Sequence, residues 1–229
     1  MIFEIILQAY GWEKGWDVIE RMGRNMRSFP SASNQPVKDV ASGEVACAVS
    51  IDSQASTTLN ELGSGNASFV VPEGLSVITG DAAAILKGAP HQELAEAFID
   101  FLMSEEGQKL WFLRVGMPGG PLRYNISRMP VMPHLYERMA TDSNLRLNPF
   151  LSRESFRYNP AKGSKRWNLL NDMLATYVIE PHGLISESGN KKLLLPRVSE
   201  EESLGILNEG IWSNPVSRNK VIFTWKEEV

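Results

Sequence analysis

The residues of this chain best placed to do chemistry are Asp52, Ser53 and Gln54. They follow Val45-Ala46-Cys47-Ala48-Val49-Ser50-Ile51, an almost uninterrupted apolar run that reads as a strand buried on both faces of a parallel sheet. In open α/β sheets ligands sit outside the carboxyl ends of the strands, so these three side chains stand where a solute would be met. A carboxylate at that place can accept hydrogen bonds from a cationic or hydroxylated solute, or hold a metal; equally, it can cap the helix that follows. Ser53 and Gln54 offer neutral donors and acceptors suited to a polar small molecule, and both are also ordinary turn residues.

The remaining reactive types do not assemble into a catalytic pattern. Gly63-Ser64-Gly65 and Gly74-Leu75-Ser76 do not complete a Gly-x-Ser-x-Gly elbow, and no Gly-x-x-x-x-Gly-Lys phosphate loop occurs. His91, His134 and His182 are widely separated, with no second His or Cys at metal-ligand spacing, so no metal site is expected. Arg123 and Arg128, beyond the turn Gly119-Gly120-Pro121, can hold an anion bidentately or form surface ion pairs. Glu105-Glu106 stand at a helix start, where carboxylates complement the dipole. The expectation is a protein that binds without catalysing and needs no cofactor; a hydrolase would require a nucleophile and a base in one cleft.

Composition narrows the class further. The 229 residues suffice for one large or two small domains, and 43% apolar with 22% charged content is ordinary for a globular protein. A net charge of −4, with Lys191-Lys192 the densest basic spot, argues against nucleic acid. The single cysteine, Cys47, excludes an intrachain disulfide, and its apolar surroundings predict a buried, inert thiol. No apolar run approaches a membrane span. Met1 to Gln8 lacks the basic start and small-residue cleavage site of a secretory signal.

Periodicity supplies the elements that would carry these residues. Residues 1–10 read as a helix closed by Gly11, then a second helix with Trp12, Trp16, Ile19 and Met22–Gly23 inward and Glu13, Asp17, Glu20 and Arg24 outward. A short helix covers Pro36 to Val40, and another runs through Leu59 to Leu62. Phe69 to Pro72 and Leu75 to Thr79 read as strands around Glu73-Gly74, and Ala82 to Leu86 fits strand or helix. After Gly88-Ala89-Pro90, Leu94, Phe98, Phe101 and Leu102 form one apolar helical stripe; Ser104 opens the next helix, expected to end near Gly116. Arg166 to Val178 is the clearest later helix, with Tyr158-Asn159-Pro160 and Asn214-Pro215 as punctuation, and Trp111, Trp167, Trp212 and Trp225 are expected to pack cores. Alternation of strands and helices followed by helices predicts an α/β protein with a helical C-terminal part.

Several phrases, taken in order, resemble the solute-binding subunits of bacterial ABC importers, in the iron-type branch of the two-lobed periplasmic binding proteins. They are Gln8-Ala9-Tyr10-Gly11-Trp12-Glu13-Lys14-Gly15-Trp16, Val40-Ala41-Ser42-Gly43-Glu44, Ile51-Asp52-Ser53-Gln54-Ala55, Phe69-Val70-Val71-Pro72-Glu73-Gly74, Gly88-Ala89-Pro90 and the run from Ala95 to Gln108. Arg128-Met129-Pro130-Val131, Asn148-Pro149-Phe150 and Ile179-Glu180-Pro181-His182 resemble a longer-tailed subgroup.

The resemblance implies a type II periplasmic-binding fold, α/β and only partly two-lobed in this chain. Residues 1–70 would belong to the second lobe, 71–130 to the interlobe crossing and part of the first lobe, and 131–229 to a mainly helical C-terminal region. The chain would begin inside the second lobe, and alone it is expected to bind solute weakly or not at all. The implied role is capture of a small polar solute and delivery to an ABC permease, in the periplasm or outside the cell. Asp52, Ser53, Gln54 and Gly74 would be the ligand-binding residues, with Glu73-Gly74 and Asp81 at a hinge or a plain turn. Gln54 stands where relatives often carry tyrosine, and Tyr10, Tyr124, Tyr136, Tyr158 and Tyr177 form no adjacent pair, which disfavours ferric iron. The alternative is a sensory or adaptor module of the same fold, signalling through a protein partner.

Overall fold

A computed structural model describes the chain except residues 64, 144, 146, 152–155, 184–195, 197 and 229. The Lys191-Lys192 pair and Ser64 therefore lie outside the described residues. The helices are α1 (Ile2–Tyr10), α2 (Trp12–Asn25), α3 (Gln35–Ala41), α4 (Asp52–Leu62), α5 (Gln92–Met103), α6 (Glu105–Phe112), α7 (Pro133–Arg138), α8 (Pro160–Leu174), α9 (Glu200–Asn208) and α10 (Pro215–Glu228). Short 3-10 turns occur at Pro149–Leu151 and Ile211–Ser213, and α8 runs on into a π-helical stretch, Ala175–Ile179.

The chain divides into two compact units. Unit 1 holds Met1–Phe29, Gly74–Val77 and Glu154–Val229; unit 2 holds Pro30–Glu73 and Ile78–Arg153. Unit 1 begins with a helical hairpin. Gly11, at φ 81°, ends α1 and starts α2. The Cβ that Gly15 lacks would lie 2.9 Å from the Leu7 Cα, so only glycine lets the two helices approach this closely. Trp12, Trp16 and Ile19, at helical spacing, turn one face of α2 inward. They share a core with Leu169, Leu170, Met173, Tyr177, Trp212 and Trp225 from the C-terminal helices.

Charge is part of that core. Arg166 on α8 and Glu4 on α1 are 1% and 2% exposed and meet through Nε to Oε2 at 2.7 Å. Arg166 Nη1 donates to Glu200 Oε1 at 2.9 Å, and its guanidinium lies 5.1 Å from the Trp12 ring centre. Lys162 also pairs with Glu200. Burial pushes the Glu200 carboxyl up, but the hydrogen bonds from Lys162 and Arg166 outweigh it and hold the carboxyl below its ordinary range. Beside this cluster Gln8 and Asn159 exchange two hydrogen bonds, one of them donated by the Asn159 backbone amide at 2.7 Å.

Unit 2 has a smaller core of Phe112, Leu113, Leu135 and Tyr136, with Met117, Met129, Met132, Met139 and Leu145 packed on it. Ser104 caps α6 by accepting from the Gly107 amide at 3.1 Å, as its position before two glutamates predicts.

The structure departs from the sequence reading at several elements. Among the described residues no strand forms; the only bridge there is an isolated antiparallel one between Leu113 and Ser143. Val45 to Ile51, Phe69 to Pro72 and Leu75 to Thr79 are irregular, and Ala82 to Leu86 is neither strand nor helix. A strand buried on both faces needs a neighbour to satisfy its backbone groups on each edge, and no described segment supplies one. Cys47 is accordingly exposed, where a buried thiol is predicted. Along α5 no residue is fully buried: Leu94 is 69% and Phe98 58% exposed, and Ala95, Ile99 and Leu102 are half-buried. Helix α6 ends at Phe112, short of Gly116. Glu20, predicted to face water, is buried, with its carboxylate 3.7 Å from Arg24. Trp167 is 47% exposed while Trp212 and Trp225 pack against each other, ring centres 5.4 Å apart.

Two measurements follow. Glu4→Gln leaves the Arg166 guanidinium under-compensated in the core and should destabilise unit 1 by about 3–5 kcal/mol. Because Trp12, Trp16, Trp212 and Trp225 share its core, denaturant titration followed by tryptophan fluorescence reads this directly; a change within experimental scatter would contradict the pairing. Cys47 should react with a chromogenic aromatic disulfide in the native protein as fast as in the unfolded chain, and strong native-state protection would show the Val45–Ile51 segment to be covered.

Candidate functional site

The site begins at the first turn of α4. Ile51 occupies the N-cap position with extended backbone and makes no side-chain cap, because an aliphatic side chain has no acceptor to offer the first-turn amides. Asp52, Ser53 and Gln54 are thus not the end of a strand but the opening residues of the helix. Asp52 does not cap through its side chain; its carboxylate occupies the first turn, where the helix dipole favours negative charge. Ser53 is buried, and its Oγ has no hydrogen-bond partner. Gln54 is half-buried, and Thr57 turns its hydroxyl back onto the Ser53 carbonyl at 2.9 Å.

Segments distant in sequence reach this helix within unit 2. Asn60 Nδ2 lies 3.5 Å from the hydroxyl of Ser127, a buried residue held at φ 56° in the left-handed region that side-chain-bearing residues rarely occupy. Tyr136 donates to the Pro130 carbonyl at 3.0 Å and packs edge-on against Phe112 and Phe150. Burial first, and the Asp52 charge second, push its phenol far above the ordinary tyrosine range. Neither Ser127 nor Tyr136 stands out in the sequence; a single residue in left-handed backbone and a tyrosine next to a distant carboxylate have no local signature.

Gly74, the fourth candidate, lies in unit 1 and adopts φ 67°, a conformation that needs glycine. The chain passes from one unit to the other at Glu73–Gly74 and returns at Val77–Ile78. Of the arginines considered as anion ligands, Arg128 pairs with Asp81 at 3.0 Å and Arg123 is exposed. His134 meets Glu105 at 3.2 Å, and His182 lies 2.7 Å from the Met26 carbonyl oxygen. Among the described residues no group of three His, Cys, Asp or Glu side chains can hold a metal ion.

Residues 6–135 match the model of the bacterial extracellular solute-binding protein family, more than half of the chain. The chain belongs to that family. The matched stretch contains α4 with Asp52, Ser53 and Gln54, and it also contains Gly74. No helix among the described residues is long and apolar enough to cross a membrane. The phosphoglycerate transport regulatory protein PgtC of Salmonella typhimurium is 29% identical over 110 residues, covering 48% of this chain and 27% of that protein. Its counterpart in Salmonella typhi matches to the same extent. The chain therefore spans about a quarter of the length of these curated relatives. No solved structure matches.

At the surface of unit 2, three basic side chains gather on Glu105. Lys109 at 2.8 Å, His134 at 3.2 Å and Arg138 at 3.3 Å surround its carboxylate. The Lys109 hydrogen bond chiefly, and the one from His134 next, hold the carboxyl at about 2. A carboxyl depressed in the folded state adds stability above its unfolded pKa and loses it as pH falls through the folded value. The α6–α7 contact should therefore weaken between about pH 4.5 and about pH 2. Glu105→Gln should flatten that limb in an acid titration followed by circular dichroism. Ser53→Ala removes a buried hydroxyl with no partner and should leave stability unchanged or raise it by up to about 1 kcal/mol. A loss larger than that in thermal unfolding would reveal a partner for the hydroxyl.

Proposed function

We propose that this protein is the solute-capturing component of an ABC-type importer, built on the two-lobed, type II α/β plan and working in the periplasm or at the cell exterior. The observation that carries the proposal is the family match across residues 6–135. In this reading a small polar solute is held between two lobes. The first turn of α4 offers Asp52 as an acceptor and Gln54 as a neutral donor and acceptor, the Ser53 hydroxyl lies buried behind them without a partner, and Gly74 gives the backbone freedom needed where the chain crosses between units. The lobes close by hinge motion, and the permease reads the closed form. The solute drives closure only through its higher affinity for the closed state. No bond in the solute is made or broken, so the protein is a carrier and not an enzyme.

The word phosphoglycerate in the relatives' name makes phosphoglycerates the first solutes to test. The word regulatory in the same name supports a second reading, a sensory or adaptor module that passes the bound state to a protein partner. An importer component is expected to engage a permease when loaded, whereas a sensor is expected to engage a kinase or regulator.

Ligand-observed NMR and calorimetry on the 229-residue chain test the site, with saturable binding of a phosphoglycerate or another small polar solute expected. Asp52→Asn and Gln54→Ala should each weaken the responding solute at least tenfold, about 1.4 kcal/mol, with an unchanged circular dichroism spectrum. Equal affinity in all three proteins would remove α4 from the site.

A further inference from the structure

We draw no further inference here: the strongest candidate, the exposed apolar stripe of Leu94, Phe98 and Phe101 along helix α5 in unit 2, carries nothing because nothing in the structure shows what covers it.

Discussion

A guanidinium taken out of water must be met by carboxylates, and unit 1 is arranged around that requirement. Arg166 is met by Glu4, 162 positions away in the chain, and by Glu200 from α9. Desolvation makes such a pair a poor source of net stability, but it makes the wrong arrangement very costly, because either partner left alone is an uncompensated buried charge. The pair thus selects one docking of α1 on α8. The Gln8–Asn159 exchange beside it and the Trp12 ring over the guanidinium hold the same alignment. Around this polar centre the tryptophans of α2, the Ile211–Ser213 turn and α10 supply the apolar area that drives association.

Unit 2 lives under the opposite condition. Its core is a methionine-flanked cluster under α6 and α7, and much of its apolar sequence finds no cover. The Val45–Ile51 run has the composition of a buried strand without the neighbours that would make it one. Helix α5 has the periodicity of a core helix, yet none of its residues is fully buried. What stays well defined is local: the Ser104 cap, the ring of cations on Glu105, and the turn of α4 that carries Asp52, Ser53 and Gln54. The proposed contacts Asp52, Ser53 and Gln54 sit on a helix terminus, where the first-turn amides have no intrahelical partner.

Helix positions were legible in the sequence wherever the signal was local. Gly11 between two apolar periods, Ser104 before two glutamates, Asn159 before Pro160 and Asn214 before Pro215 each mark a helix boundary by their own backbone chemistry. The reading failed where it needed a partner. Glu20 belongs to the polar side of α2 by periodicity and is buried by tertiary packing. Cys47 belongs to a core by its neighbours in sequence and is exposed for want of neighbours in space. The polar trio Asp52, Ser53 and Gln54 is visible in the sequence, but its setting differs from the expected strand end, because the trio opens helix α4.

The amino-acid sequence by itself determined the family and many helix-forming segments, and it supplied the polar trio proposed as solute contacts, because ordered phrases, periodicity and caps act over a few residues. Only the tertiary structure decided which apolar runs are buried, that Arg166 and Glu4 form one buried pair, and that Ser127 and Tyr136 attend α4. Those outcomes depend on desolvation and backbone pairing between distant segments, and neither leaves a mark on local sequence.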